Sequence, residues 1–289
     1  MKIGVIGSLS TDFVVTTKQI PKQGETVLGD SFNTYFGGKG ANQAIAASRA
    51  GAEVFMLGSV GSDYQADLLL NNLKENNVDI SMMKKVEGVE SGSAHIQIKD
   101  GDNRIIVVPG SNAYTKIDMI QFYQEKLKAM DVIVLQNEIP IETVKYVIDF
   151  CHEQSIKVLY NPAPVADIGA EYIEKVDFLT PNEGEFAILF PDDTLDDMLE
   201  KYPNKLIVTL GDRGVIYHNG LENVIVKAEH VTNVVDTTGA GDTFNGYLAK
   251  GIAEELSLLE CLKLGNKSSA LSIQKKGAQR GIPFIEEIE

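Results

Sequence analysis

Two hydrophobic rhythms alternate along the chain. Short apolar runs with strand character occur at Met1–Gly7, Glu53–Val60, Asp131–Gln136, Lys157–Tyr160, Asp177–Thr180 and Lys205–Leu210. Segments with apolar residues three and four apart lie between them: a helix opened by Gly37 and carried by Ala44, Ile45 and Ala47, then Tyr64–Asn76, Asp118–Met130, Ile141–Gln154, Glu183–Phe190 and Leu195–Lys201. Within Ile141–Gln154 the stripe is clear at Val144, Val147, Ile148 and Cys151. Two long helices follow and end near Ile273, the first carrying Phe244, Tyr247, Leu248, Gly251 and Ile252. Strands that alternate with helices predict an α/β fold, a mostly parallel sheet covered on both faces.

Two β-rich stretches break this rhythm. Phe13–Thr17, Thr26–Gly29 and Ser31–Phe36 read as short strands separated by Pro21, Gly24 and Gly29. Met82–Pro109 contains the alternating run Ser93–Lys99, a turn at Asp100–Asn103 and Arg104–Val108. These insertions, at about 11–36 and 82–110, are expected to pair as a small β-sheet lid on a single domain spanning 1–289. Near the other end a hairpin is predicted at Val215–Lys227, then a further β-type run at Val231–Val235.

Composition narrows the partners. Against 26 basic residues stand 41 acidic ones, a formal net charge of −15, which excludes a general affinity for nucleic acid or anionic membrane. Any bound phosphate must then be held by local geometry. The start of the chain reads as a strand rather than a signal peptide, and no stretch approaches the roughly 20 apolar residues of a membrane helix. Cys151 and Cys261 both fall in helical patterns, so no disulfide framework is expected and a reducing cytoplasm is the default. His95, His152, His218 and His230 form no zinc-ligand spacing.

Ligands of parallel sheets sit beyond the carboxyl ends of the strands, and polar clusters fall there at Ser10–Asp12, Gln136–Glu138, Asn161, Asn182–Glu185, Thr209–Asp212 and Asp236–Asp242. In the last cluster, Gly239, Ala240 and Gly241 would leave N–H groups open at a helix start, a site for an anion. Asp242 follows them directly. Either it is an ordinary first-turn acid, or it takes the proton of a hydroxyl that attacks phosphorus. Asn182 and Glu185, three apart at a helix start, could hold Mg²⁺ through water or form a helix cap. Gly37–Asn42 is either a plain glycine-rich helix start or a polyol site, with Asn42 on a hydroxyl and Lys39 toward a phosphate. Asp12 and Glu138 are strand-end carboxylates suited to accept hydroxyl protons, or simply solvated. No GxGxxG turn follows the first strand and no GxxxxGK[ST] loop occurs.

Along essentially its whole length the sequence resembles the ribokinase family of carbohydrate kinases, the phosphofructokinase B type. The motifs are Gly37-Gly38-Lys39-Gly40-Ala41-Asn42-Gln43-Ala44, Asn161-Pro162-Ala163-Pro164, Thr180-Pro181-Asn182-Glu183-Gly184-Glu185, Thr209-Leu210-Gly211-Asp212-Arg213-Gly214 and Asp236 through Gly246. The resemblance implies a ribokinase-like three-layer αβα fold with a lid sheet, ATP as co-substrate, Mg²⁺, an activating K⁺ and a homodimer joined through the lids. It implies that Asp242 is the general base, with the N–H groups of Gly239, Ala240 and Gly241 as anion hole. Ser10, Asp12, Gly38, Lys39, Asn42 and Glu138 fall on the sugar positions. Asn182, Glu185, Thr209, Gly211, Gly214, Gly241 and Asn266 fall on the nucleotide and Mg²⁺ positions, and Asp236, Thr238, Ser272, Lys275, Gly277 and Gly281 on those that ligate the monovalent cation.

Two positions depart from the pattern. Ser10 stands where asparagine is usual, a loss of one sugar contact worth roughly 0.5 to 1.5 kcal/mol. Gly281 stands where serine is often found, which removes one side-chain ligand from the K⁺ site. The expected reaction is phosphorylation of D-ribose to D-ribose 5-phosphate. The alternatives are a kinase of the same family for deoxyribose, another sugar or a nucleoside, and a non-catalytic sugar-binding regulatory protein.

Overall fold

A computed structural model describes residues 1–288. In chain order its strands and helices are β1 (Lys2–Ile6), β2 (Ser10–Thr16), β3 (Ser31–Gly37), α1 (Lys39–Arg49), β4 (Glu53–Val60), α2 (Tyr64–Glu75), β5 (Val78–Lys85), β6 (Ser93–Lys99) and β7 (Asp102–Val108). Then follow α3 (Ile117–Leu127), β8 (Val132–Leu135), α4 (Ile141–Gln154), β9 (Lys157–Tyr160), α5 (Ala170–Lys175), β10 (Phe178–Leu179), α6 (Glu183–Leu189) and α7 (Leu195–Lys201). The last are β11 (Ile207–Thr209), β12 (Val215–His218), β13 (Asn223–Val226), α8 (Ala240–Ala253) and α9 (Leu258–Ser272).

Six strands in the order β10-β9-β8-β1-β4-β5 form the central sheet, and every pairing in it is parallel. Single parallel bridges from Leu179 to Leu206 and from Asn182 to Thr209 attach the antiparallel trio β11-β12-β13 beyond β10. Alternation along β8 shows how both faces are covered. Val132 and Val134 join the core under α1, α2, α8 and α9, while Ile133 and Leu135 join the core under α3, α4, α5 and α7. The predicted stripe of α4 is fully buried at Val144, Val147, Ile148 and Cys151. The result is the three-layer αβα arrangement.

A separate sheet in the order β3-β2-β6-β7 is built from the two insertions, with β2 and β6 parallel and both outer pairs antiparallel. Three expectations need correction. Residues 82–85, placed in the second insertion, belong to β5 at the edge of the central sheet, where Val78 and Met82 are buried. Thr26–Gly29 is a loop, because no neighbouring strand offers it a ladder and Leu28 is left in solvent. Val231–Val235 is likewise no strand; the N–H groups of Val235 and Asp236 both donate to the Ile273 carbonyl just past α9. Helix α5 is too short to show a period in the sequence.

Candidate active site

The N-termini of α1 and α8 meet above the carboxyl ends of the central strands. Both starts depend on glycine. Gly38 caps α1 with φ 89°, and a Cβ there would lie 2.7 Å from Leu9 Cα, so only glycine lets the helix start approach the β1–β2 connection. Gly239 caps α8 with φ 79°, and its Cβ would fall 2.8 Å from Ala278. This turn aims the first residues of α8 into the cleft.

Asp242 is 6% exposed, and neutral amides hold both of its oxygens. Asn42 Nδ2 donates to Oδ2 at 2.8 Å and Gln43 Nε2 to Oδ1 at 2.9 Å. The carboxylate stands in the wall between two cavities. On one side a cleft of about 590 Å³ is bordered by Ser10, Asp12, Gly38, Lys39, Asn42 and Glu138, and roofed by the apolar lid residues Ala94, Ile96, Ile105 and Val107. On the other a smaller cavity of about 190 Å³ is bordered by Asn161, Asn182, Glu185, Thr209, Gly241 and Asn245. Lys39, Gly239 and Asp242 line both.

The cleft is rich in carboxylates held by local bonds. Glu138 accepts from Ser8 Oγ at 2.5 Å and from the Lys39 N–H at 2.9 Å, and Asp12 accepts from Ser10 Oγ at 3.1 Å. The serine at position 10 therefore orients Asp12. Burial pushes the Asp12 carboxyl up to about 6; the Ser10 bond opposes this, while the negative charges of Glu138 and Asp242 add to it. Lys39 is held above its ordinary value chiefly by Asp242, with Glu138 and Glu185 adding to the effect against burial. The lysine thus stays a cation where the two cavities meet.

In the smaller cavity Asn182 and Glu185 form a capping box for α6: Asn182 Oδ1 accepts from the Glu185 N–H at 2.8 Å, and Glu185 Oε2 accepts from the Asn182 N–H at 2.9 Å. The cap and the cavity lining coexist. Burial raises the Glu185 carboxyl, the Asn182 bond and Lys39 lower it, and Asp242 raises it. One carboxylate and one amide do not make an all-protein metal cage, and among the described residues no cluster of three or more His, Cys, Asp or Glu could hold a metal. This donor set would fit a Mg²⁺ held through its own water molecules, which would supply positive charge beside a phosphate.

The remaining predicted positions separate into groups. Of the three proposed anion-hole residues, Gly239 and Gly241 line the small cavity, whereas the Ala240 N–H donates to Thr237 O at 3.2 Å and is spent in the turn. Thr209 lines the same cavity. Gly211, Gly214 and Asn266 do not line it and instead surround the β11–β12 turn and the end of β13; Asn266 Nδ2 donates to the carbonyls of Val226 and Lys227 at 2.9 and 3.0 Å.

The cation set converges on one corner. Asp236 accepts from the N–H groups of Thr238 at 3.0 Å and Gly277 at 2.9 Å, and the Lys275 N–H donates to Ser272 O. Burial alone would raise the Asp236 carboxyl, but these bonds and nearby Lys276 bring it below its ordinary value. Ser272 Oγ points back to Ser269 O at 2.8 Å, so a cation here would meet the Asp236 carboxylate and backbone carbonyls. A Cβ at Gly281 would lie 2.1 Å from Ser272 O, which accounts for the missing serine: this backbone leaves no room for one.

Sequence reasoning missed the amides behind the site. Gln43 and Gln136 are fully buried, Gln279 and Asn161 nearly so, and all belong to one hydrogen-bonded network with Asp242. Gln43 and Asn161 stand inside motifs already noted, but an uncharged amide carries no sequence signal of its own.

A model of the pfkB family carbohydrate kinases matches residues 1–285. The chain belongs to this family. Within the pfkB family it is 46% identical to the ribokinase of Bacillus subtilis (strain 168), over 99% of this chain and 98% of that one. Among solved structures, the ribokinase of Thermotoga maritima superposes with a TM-score of 0.90 at 34% identity, covering 99% of this chain and 97% of the other. The ribokinase of Arabidopsis thaliana complexed with ribose and ATP also gives 0.90, at 27% identity over 99% and 96% of the two chains.

Proposed function

We propose that this pfkB-family chain is an ATP-dependent ribokinase that converts D-ribose to D-ribose 5-phosphate. The observation that carries the reading is the position of Asp242, in the wall shared by a cleft with room for a sugar and a smaller polar cavity. Such a carboxylate can take the proton of a hydroxyl on one side as that oxygen attacks a phosphoryl group on the other. Asp12, Glu138 and Asn42 hold the sugar hydroxyls, and the apolar roof covers the ring. Lys39 and the N–H groups at the start of α8, above all that of Gly241, stabilise charge on the transferring phosphoryl. Thr209 receives the nucleotide phosphates. Asn266, Gly211 and Gly214 shape the nucleoside end by fixing the close of β13.

Mg²⁺, held through water by Glu185 and Asn182, would neutralise phosphate charge. K⁺ at Asp236, Thr238, Ser272, Lys275, Gly277 and Gly281 would steady the turn that precedes α8. The chain works as one kinase domain whose lid excludes water from the cleft. It pairs as a homodimer through that lid, since β7 is an edge strand whose Ile105, Ile106, Val107 and Val108 are all exposed. Cys151 and Cys261 are buried free thiols, which suits the cytoplasm. Among the described residues no helix is long and apolar enough to cross a membrane.

Ser10 supports a second reading, a sugar that differs from ribose at one hydroxyl, such as deoxyribose. A panel of pentoses, hexoses and nucleosides assayed for ADP release, with and without K⁺, tests both. Ribose should give the highest kcat/KM; a deoxy sugar or nucleoside that outruns it by tenfold would transfer the assignment, and no sugar-dependent turnover would leave only a binding protein.

A further inference from the structure

Asp242 is the centre of a chain of buried amides whose polarity it dictates. A carboxylate only accepts, so Asn42 and Gln43 must each turn an NH₂ toward it. On one side this leaves the Gln43 oxygen facing away, where it accepts from Gln136 Nε2 at 2.7 Å; the Gln136 oxygen is then left buried without a partner among the described residues. On the other side the Asn42 oxygen faces away and accepts from Gln279 Nε2 at 2.9 Å, and the Gln279 oxygen accepts from Asn72 Nδ2 at 2.7 Å. The run Asn72, Gln279, Asn42, Asp242 points every N–H toward the carboxylate. It begins on α2 at the edge of a separate cavity of about 370 Å³ that Gln279, Asn72, Arg49 and Arg280 help to line. An orphaned buried acceptor costs about 1–3 kcal/mol, so the network is poorly arranged for stability alone.

We propose that Gln279 is a positioning residue for the base. Through the Asn42 oxygen it fixes which end of the Asn42 amide meets Asp242, and so fixes the direction in which the carboxylate faces the cleft. The idea rests on Asp242 being the base. Gln279 touches neither cavity that Asp242 separates, and its backbone oxygen is held independently by Arg49 Nη1 at 2.9 Å, so the side chain can be changed with the backbone anchored.

Two replacements of similar length separate polarity from packing. In Gln279→Met the donor is lost and the Asn42 oxygen is merely unpaired. In Gln279→Glu an acceptor faces that oxygen, so acceptors flank the Asn42 amide on both sides and its hold on Asp242 competes with a turned-over orientation that presents its oxygen to the carboxylate. Steady-state kinetics should show kcat reduced about tenfold in the Met variant and about a hundredfold in the Glu variant, with KM for ATP within twofold of wild type and unchanged melting cooperativity. A purely structural role predicts no such order. Asn72, half-buried on α2, repeats the test from a distance: Asn72→Asp inverts the first link and should lower kcat severalfold, whereas Asn72→Ala should have a smaller effect. Wild-type kcat in Gln279→Glu, or Met impaired as much as Glu, overturns the inference; if Gln279→Glu does not fold, equal rates for Asn72→Asp and Asn72→Ala do so. Asp242→Asn assayed alongside keeps the two ideas apart, because full activity in that variant overturns the base itself.

Discussion

At the residue scale, the proposed chemistry turns on two carboxylates in contrasting surroundings. Asp242 has an amide donor on each oxygen, so Asp242→Asn must place at least one NH₂ against another and also removes the proton acceptor. We expect kcat to fall by about three orders of magnitude, in line with general-base contributions, while ADP binding measured by calorimetry stays within severalfold of wild type. Asp12 behaves differently. Burial raises its carboxyl to about 6, and sugar hydroxyls donate best to the ionised form. The kcat/KM for the sugar should therefore fall about tenfold per pH unit below 6, whereas kcat/KM for ATP at saturating sugar should not follow that limb. A sugar profile that stays flat from pH 7 to pH 5 would remove Asp12 from the binding set.

At the scale of elements, the lid matters more than its size suggests. Its strand β7 places Ile105 and Val107 on the cleft, and Ile106, 67% exposed, on no part of it. An edge strand with such residues is an open template for another chain. Wild-type protein at micromolar concentration should have the mass of a dimer by light scattering. Ile106→Asp should have that of a monomer, with a far-UV spectrum like wild type because the side chain is mostly in solvent. A monomeric wild type would dispose of the lid-to-lid interface.

For the whole molecule, the site is held against the fold's own preference. Because the folded pKa of Asp12 lies above its unfolded value of 3.8, its contribution to stability is complete below pH 3.8 and is lost as pH rises through about 6. At neutral pH the ligand-free protein thus keeps an ionised group at a cost of about 2–3 kcal/mol. Asp12→Asn should raise the melting temperature at pH 7.5 by several degrees, and the gain should vanish near pH 4; a variant that melts lower than wild type at pH 7.5 would contradict this. Buried strands such as β8 and the stripe of α4 are legible in the sequence because alternation and the 3.6-residue period are imposed by burial itself. Gly239 is legible because its turn demands a positive φ, and Asp242 because a carboxylate just inside that helix start stands out from the small residues before it. The β5 edge, the loop at 26–29 and the amide network are not, since each depends on which distant segment lies opposite. Gln279 meets Asn42 across 237 positions.

The manner in which the lid joins the body has one more consequence. Ser10 and Asp12 belong to lid strand β2, and Gly38 and Lys39 follow directly on lid strand β3. The residues proposed to hold the sugar are therefore also the points where the lid sheet joins the body. A sugar bound as proposed would tie both lid strands to the body at once, so binding in the cleft and the setting of the lid should be coupled.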